Sequence, residues 1–217
     1  MNKDILFWNV DTQRDFMDPN GLLYVKDAEL IKPALAKLTL LANDKNIRTI
    51  NTADYHTAKS VELSDTPDFK TTFPKHCMAG TEGSEFIDET NPNKFRPSNY
   101  VFIGYNEPRG IPPGMVEKTR NIVILKDHFD VFQGNPYTND ILEAVKPKAV
   151  IVYGVAANVC VNFAVVGLLN RGYSVLVVKD AIKELPNLPV EPIYDDWRNR
   201  GALFIDSDEV GVYDSKM

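Results

Sequence analysis

Three side chains in this sequence make a nucleophilic site if the fold brings them together: the thiol of Cys160, the carboxylate of Asp11 and the ammonium of Lys126. A free thiol has a pKa of about 8.5, so at neutral pH it is mostly protonated and needs activation. A neighbouring ammonium and the positive end of a helix beginning near Cys160 would both favour the thiolate. A carboxylate such as Asp11 can take the thiol proton and return it to a leaving group. No histidine is required. Each residue also has a plainer reading on its own: an Asp after a strand is often a turn residue or cap, a Lys there is usually solvated, and a Cys is often a small buried apolar residue. The second cysteine, Cys77, is read as structural, and two cysteines exclude a disulfide framework as the organising principle.

A second cluster is centred on Asp54 and His56, which stand two apart, so that on an extended segment both side chains point the same way. Glu62 follows six residues later, and the segment 73–83 supplies His76. Carboxylate and imidazole ligands suit Zn, Mn or Fe, with water completing the shell. Asp, Glu and His in a polar loop are also commonly hydrogen-bonded or exposed. Spacing alone leaves both readings open.

The elements that must position these residues are legible as short runs rich in Val, Ile and Leu. Residues 5–10, 47–52, 122–125, 149–155 and 174–178 read as buried strands, with a sixth at 202–205. Helical periodicity falls between them at 28–41, 139–145, 158–169 and 195–200. Strands that alternate with helices and lack alternating polarity indicate a single α/β domain over residues 1–217, with a central, mostly parallel sheet of about six strands covered by helices on both faces. Ligands in such sheets bind beyond the carboxyl ends of the strands. Asp11 follows the first run directly, Lys126 follows the third, Cys160 lies five residues past the fourth, and Asp54 and His56 lie just past the second. Residues 57–113, poor in periodicity and rich in Pro, Thr and Asn, read as loop and short elements.

The chain has 217 residues, 44% hydrophobic and 25% charged, an ordinary globular mix. A formal charge of −6 with no basic patch argues against nucleic acid or an anionic membrane as partner. No apolar run is long enough to span a bilayer, and the N-terminus lacks a signal-peptide pattern, so the location expected from the sequence is the cytoplasm.

Three segments resemble those of the isochorismatase-like cysteine hydrolases, in the family's order and across most of the chain. Val10-Asp11-Thr12-Gln13-Arg14-Asp15-Phe16 resembles the V-D-x-Q-x-D-F opening, Lys126-Asp127-His128-Phe129-Asp130-Val131-Phe132 the K-x-x-x-S-x-F segment, and Gly154-Val155-Ala156-Ala157-Asn158-Val159-Cys160-Val161 the G-[VI]-A-T-[DE]-x-C-V segment. The resemblance implies that Asp11, Lys126 and Cys160 are catalytic, with Asp11 as proton acceptor and Asp15 in support. It also implies a cis peptide between Val155 and Ala156, which aims the Ala156 N–H, together with that of Cys160, at an oxyanion. Ala157 and Asn158 depart from the usual Thr and acid, and Asn158 is expected to cap the helix that carries Cys160. Asp130 stands in place of the usual Ser.

Asp54-Tyr55-His56 followed by Phe73-Pro74-Lys75-His76-Cys77-Met78-Ala79-Gly80-Thr81-Glu82-Gly83 resembles the metal-binding part of the nicotinamidase subgroup. This implies a divalent ion on Asp54, His56 and His76, with Glu62 as the variable fourth ligand. Phe16, Phe73, Phe132 and Val155 are expected to contact the substrate, although any one of these phenylalanines is by base rate a core residue. Tyr55, Thr57 and Phe73 replace the subgroup's usual residues. The activity implied is hydrolysis of a small aromatic carboxamide, nicotinamide to nicotinate and ammonia, through a thioester on Cys160. The alternatives are a metal-independent relative acting on another amide, ureido or carbamoyl compound, and an inactive binding or scaffold homologue. Relatives assemble as dimers or tetramers, but no surface patch in the sequence argues for a homo-oligomer here.

Overall fold

Strands that are apolar along their whole length need cover on both faces, and the chain provides it. The computed structural model describes residues 2–95, 99–107, 110–112, 114–186 and 188–213. Its strands are β1 (Asn2–Val10), β2 (Ile47–Asp54), β3 (Tyr100–Ile103), β4 (Asn121–Lys126), β5 (Ala149–Val155), β6 (Ser174–Lys183) and β7 (Leu203–Ile205). They form one seven-stranded sheet in the order β3-β4-β2-β1-β5-β6-β7. Every neighbouring pair is parallel. The helices are α1 (Arg14–Met17), α2 (Lys32–Asp44), α3 (Pro92–Phe95), α4 (Met115–Lys118), α5 (Val131–Gly134), α6 (Thr138–Val145), α7 (Cys160–Asn170), α8 (Glu191–Asn199) and α9 (Val210–Tyr213). Among the described residues no helix is long and apolar enough to cross a membrane.

The seventh strand, β3, lies in the stretch 57–113, which the sequence presents as loop. It is the four-residue edge strand Tyr100-Val101-Phe102-Ile103, a short apolar run set inside a stretch otherwise poor in periodicity, with Phe102 exposed. Residues 96–98, 108–109 and 113 of that stretch lie outside the described residues. The other boundaries shift modestly. The helix expected at 28–41 is a 3-10 turn followed by α2, and the one expected at 158–169 begins at Cys160.

Alternation along β1 separates the two faces. Trp8 meets Phe132 of α5 on one side, while Asn9 bonds Asn51 of β2 on the other, beneath α2. The register then levels the strand tips. Val10 stands opposite both Thr52 and Gly154, and Asp54 opposite Lys126. The last residues of β1, β2, β4 and β5 therefore open onto one patch at the carboxyl edge of the sheet.

Gly154 permits this closure. Its φ is 120°, and a Cβ there would lie 2.0 Å from the Val10 carbonyl oxygen. Gly154→Ala should therefore lose about 3 kcal/mol or more in chemical denaturation, because left-handed strain adds to a backbone clash. Gly201→Ala, at φ 95° with open space around it, should lose only about 1–2 kcal/mol.

Candidate active site

The buried Lys126 ammonium is the hub of the patch. Its Nζ lies 2.8 Å from Asp11 Oδ2, donates to Asp54 Oδ1, and stands 3.8 Å from Cys160 Sγ. Lys126 and Asp11 are fully buried, and Asp54 and Cys160 nearly so. Thr52 Oγ1 donates to Asp11 Oδ1 at 2.6 Å, leaving Oδ2 to Lys126. Asp11 itself has φ 47°, a turn conformation immediately after β1.

Burial alone would lower the pKa of Lys126, but Asp11 and Asp54 outweigh it and hold the ammonium well above its usual value. Burial would raise Asp54; Lys126, His56 and His76 together hold it well below the carboxylate range. Asp11 is raised, since burial and the Asp54 charge exceed the pull of Lys126. Burial also pushes the Cys160 thiol well up, with Lys126 as a partial offset and Asp11 and Asp54 adding to the rise. Burial and the two carboxylates thus work against the thiolate that Lys126 favours.

The peptide between Val155 and Ala156 is cis. Among the described residues the N–H groups of Ala156 and Cys160 take no backbone acceptor, while the Ala156 carbonyl accepts from Val159 and Val161 at 2.9 and 3.1 Å. Neither N–H is therefore committed to a backbone partner. Asn158 is not the helix cap, a position taken by Val159. Its side chain instead donates to the carbonyls of Leu185 and Leu188 at 2.8 and 2.9 Å and accepts from Leu185 N at 2.9 Å. It staples the loop after β6 over the site. Asp130 caps α5 by accepting from Phe132 N.

Asp54, His56 and His76 bring one ligand atom each within 4.8 Å of one another. His76 Nδ1 donates to the Pro74 carbonyl at 2.7 Å, which leaves the Nε2 lone pair facing Asp54 Oδ2 at 3.6 Å. His56 is wholly buried, and neither ring nitrogen has a hydrogen-bond partner among the described residues. Orphaned imidazole nitrogens beside a carboxylate, with one ring oriented by a carbonyl, fit a divalent cation. Glu62, expected as the fourth ligand, does not join this group. Its Oε1 accepts from Phe129 N at 2.7 Å, and burial pushes its carboxyl up to about 8.

A pocket opens over these groups, lined by Phe16, Phe73, Phe129, Glu62, His76 and Cys160 among others. Phe16 and Phe73 stand where the sequence puts them. Phe132 does not: it packs against Trp8, and Arg171 stacks on its ring at 3.6 Å, so Phe129 supplies the aromatic wall instead. Val155 is fully buried beneath Ala156 and is not part of the cavity lining.

Two scaffolding residues went unassigned or underused in the sequence. Asp15 accepts from Leu22 N and Cys77 N, anchoring the segment that carries His76. Gln13 behaves as a missing strand. The last backbone bond between the two segments runs from Asp11 N to Thr52 O at 3.2 Å; beyond it the Gln13 amide takes over, donating to the Asp54 carbonyl and accepting from Asp54 N, both at 2.7 Å. The same Nε2 donates to Ser84 O at 2.8 Å. The V-D-x-Q spacing was the available signal, but nothing in it says what the amide grips.

A model of the isochorismatase domain matches residues 102–209. The nicotinamidase/pyrazinamidase of Mycobacterium tuberculosis is 31% identical over 77 residues, which is 36% of this chain and 40% of that protein. Two solved structures share the fold across nearly their whole length. The pyrazinamidase of Pyrococcus horikoshii in complex with zinc has a TM-score of 0.70 at 23% identity, covering 94% of this chain and 99% of its own. The N-carbamoylsarcosine amidase of Thermoplasma acidophilum has a TM-score of 0.69 at 22% identity, covering 95% and 98%.

Gln13→Glu replaces two donated hydrogen bonds with a carboxylate facing two carbonyls. Measured by chelator competition, divalent-metal affinity should fall about 10- to 100-fold. An unchanged affinity would mean that Asp54 is held without Gln13.

Proposed function

The chain belongs to the isochorismatase-like superfamily, and from that premise we propose that it is a cysteine amidohydrolase acting on a small aromatic carboxamide, with nicotinamide as the leading candidate. The observation that carries this is the placement of Lys126 Nζ at 2.8 Å from Asp11 and 3.8 Å from Cys160 at the floor of an aromatic-walled cavity.

In the proposed reaction the Cys160 sulfur adds to the amide carbonyl as Asp11 takes the thiol proton. This relieves the resting thiol without requiring an isolated buried thiolate. Lys126 pairs with Asp11 Oδ2 and aims it. The Ala156 and Cys160 N–H groups receive the oxyanion. Asp11 then passes its proton to the nitrogen, the C–N bond breaks and ammonia leaves. Asp11 next deprotonates a water that attacks the thioester, releasing the carboxylic acid and restoring the thiol. Phe16, Phe73 and Phe129 sandwich a flat ring and keep bulk water from the sulfur. A divalent ion on Asp54, His56 and His76 would supply Lewis acidity and an anchor for a ring nitrogen.

Glu62 favours a second reading. A carboxyl held in the cavity wall by Phe129 N–H suits the N–H groups of a ureido or carbamoyl substrate better than a bare ring edge. A panel comparing nicotinamide with N-carbamoyl compounds, with and without added divalent metal, separates the two. Ammonia release should fall at least ~10³-fold in Cys160→Ala; native turnover in that variant would end the mechanism. His76→Ala should lose both bound metal and turnover of nicotinamide. Retention of both would remove the metal from the account.

A further inference from the structure

Part of the catalytic pocket is aliphatic, lined by Leu23, Val25, Val159 and Leu185. Leu185 comes from the loop between β6 and α8, which cannot fix itself by a backbone ladder. Pro186 and Pro189 carry no N–H. Beyond the bond from Ala157 N to Lys183 O at 2.7 Å, the loop has no further backbone bond to the β5 end among the described residues. A side chain holds it instead. Asn158, 7% exposed, donates through Nδ2 to the carbonyls of Leu185 and Leu188 and accepts at Oδ1 from Leu185 N. These three partners fix the orientation of the amide, since the flipped group would set its oxygen against two carbonyl oxygens. A carboxylate at this position would have no proton to give to either carbonyl.

Asn158 stands two residues before Cys160, in the turn that leads into α7. The clamp therefore ties a wall of the pocket to the same short segment that carries the sulfur. We propose that Asn158 is a positioning residue for the substrate: through its amide it holds Leu185 against the apolar body of the bound molecule, in fixed relation to Cys160. Both of its amide protons are engaged by the loop, so it acts on substrate binding more than on the chemical step. The proposal rests on Cys160 being the group that a substrate must reach in this pocket. It does not depend on which amide is hydrolysed.

Alkylation tests the clamp without any substrate. Iodoacetamide and the bulkier N-ethylmaleimide are compared on the native chain and on Asn158→Ala, with the modified cysteine located by peptide mass. Loosening the wall should speed modification of Cys160 several-fold, more so for the bulkier reagent. The fully buried Cys77 should stay unmodified, which controls for folding. Equal Cys160 rates in the two proteins would overturn the proposal. With nicotinamide as substrate, Asn158→Ala should raise KM roughly 10-fold with a smaller change in kcat. Leu185→Ala leaves the clamp in place and should raise KM similarly, and the double variant should be no worse than the poorer single one. Effects that multiply would show Asn158 acting other than through Leu185, and would also overturn it. A native chain that does not hydrolyse nicotinamide would count against the catalytic reading alone, and the alkylation rates would still decide this one. If Asn158→Ala does not fold, Leu185→Ala is read by the same alkylation: an unchanged Cys160 rate there would mean that Leu185 covers nothing, and would sink the proposal.

Discussion

An ammonium sealed away from water between two carboxylates is the constraint that organises this molecule. Desolvating Lys126 is tolerable only while Asp11 and Asp54 stay against it. That pairing in turn demands that β1, β2 and β4 end level. Parallel register provides the alignment by setting Asp54 opposite Lys126, and Gly154 lets β5 close against Val10 to bring Cys160 into the same patch. Gln13 and Asp15 then hold what the strands alone leave loose.

The charge count explains why the two functional clusters belong to one site. Asp11, Asp54 and Lys126 together carry one net negative charge in a buried space, and the imidazoles of His56 and His76 add none when neutral. A divalent cation on the histidine side of Asp54 would offset that excess. It would also draw on the one carboxylate the ammonium already holds well below its ordinary range. Asp54 is thus shared. It orients the lysine that serves the base, and it faces the rings that would hold a metal. Asp11, whose proton affinity is raised, brings a carboxylate oxygen within 4.8 Å of the Cys160 sulfur. The upward push on the Cys160 thiol comes from the same balance, because a thiolate would add a second charge to the buried space.

Much of this was legible in the sequence wherever one residue type at a strand tip carries the signal. Asp11, Lys126, Cys160, Asp54 and His56 could all be placed by the rule that ligands sit beyond carboxyl ends, and the continuous apolar runs revealed the central strands. What escaped depends on tertiary partners. The edge strand β3 is a run of only four residues, Tyr100-Val101-Phe102-Ile103, and the Pro- and Asn-rich stretch around it hides it. Phe132 and Phe129 are three residues apart in one motif, and only the packing of Trp8 and Arg171 decides which of them faces the cavity. Asn158 looks like a helix cap from its neighbours in sequence, but Leu185 and Leu188, far along the chain, claim its amide. Glu62 has the spacing of a ligand; its Oε1 accepts from Phe129 N, and it lies outside the Asp54, His56 and His76 group.

Equilibrium unfolding of a double-mutant cycle measures the central ion cluster most directly. With the ammonium gone, Lys126→Met leaves two buried carboxylates facing each other, and should lose about 3–5 kcal/mol. Adding Asp11→Asn removes one of those charges, so the double variant should be more stable than the sum of the single losses predicts. Strictly additive losses, or a Lys126→Met protein as stable as the native chain, would contradict the claim that this ammonium holds the site together.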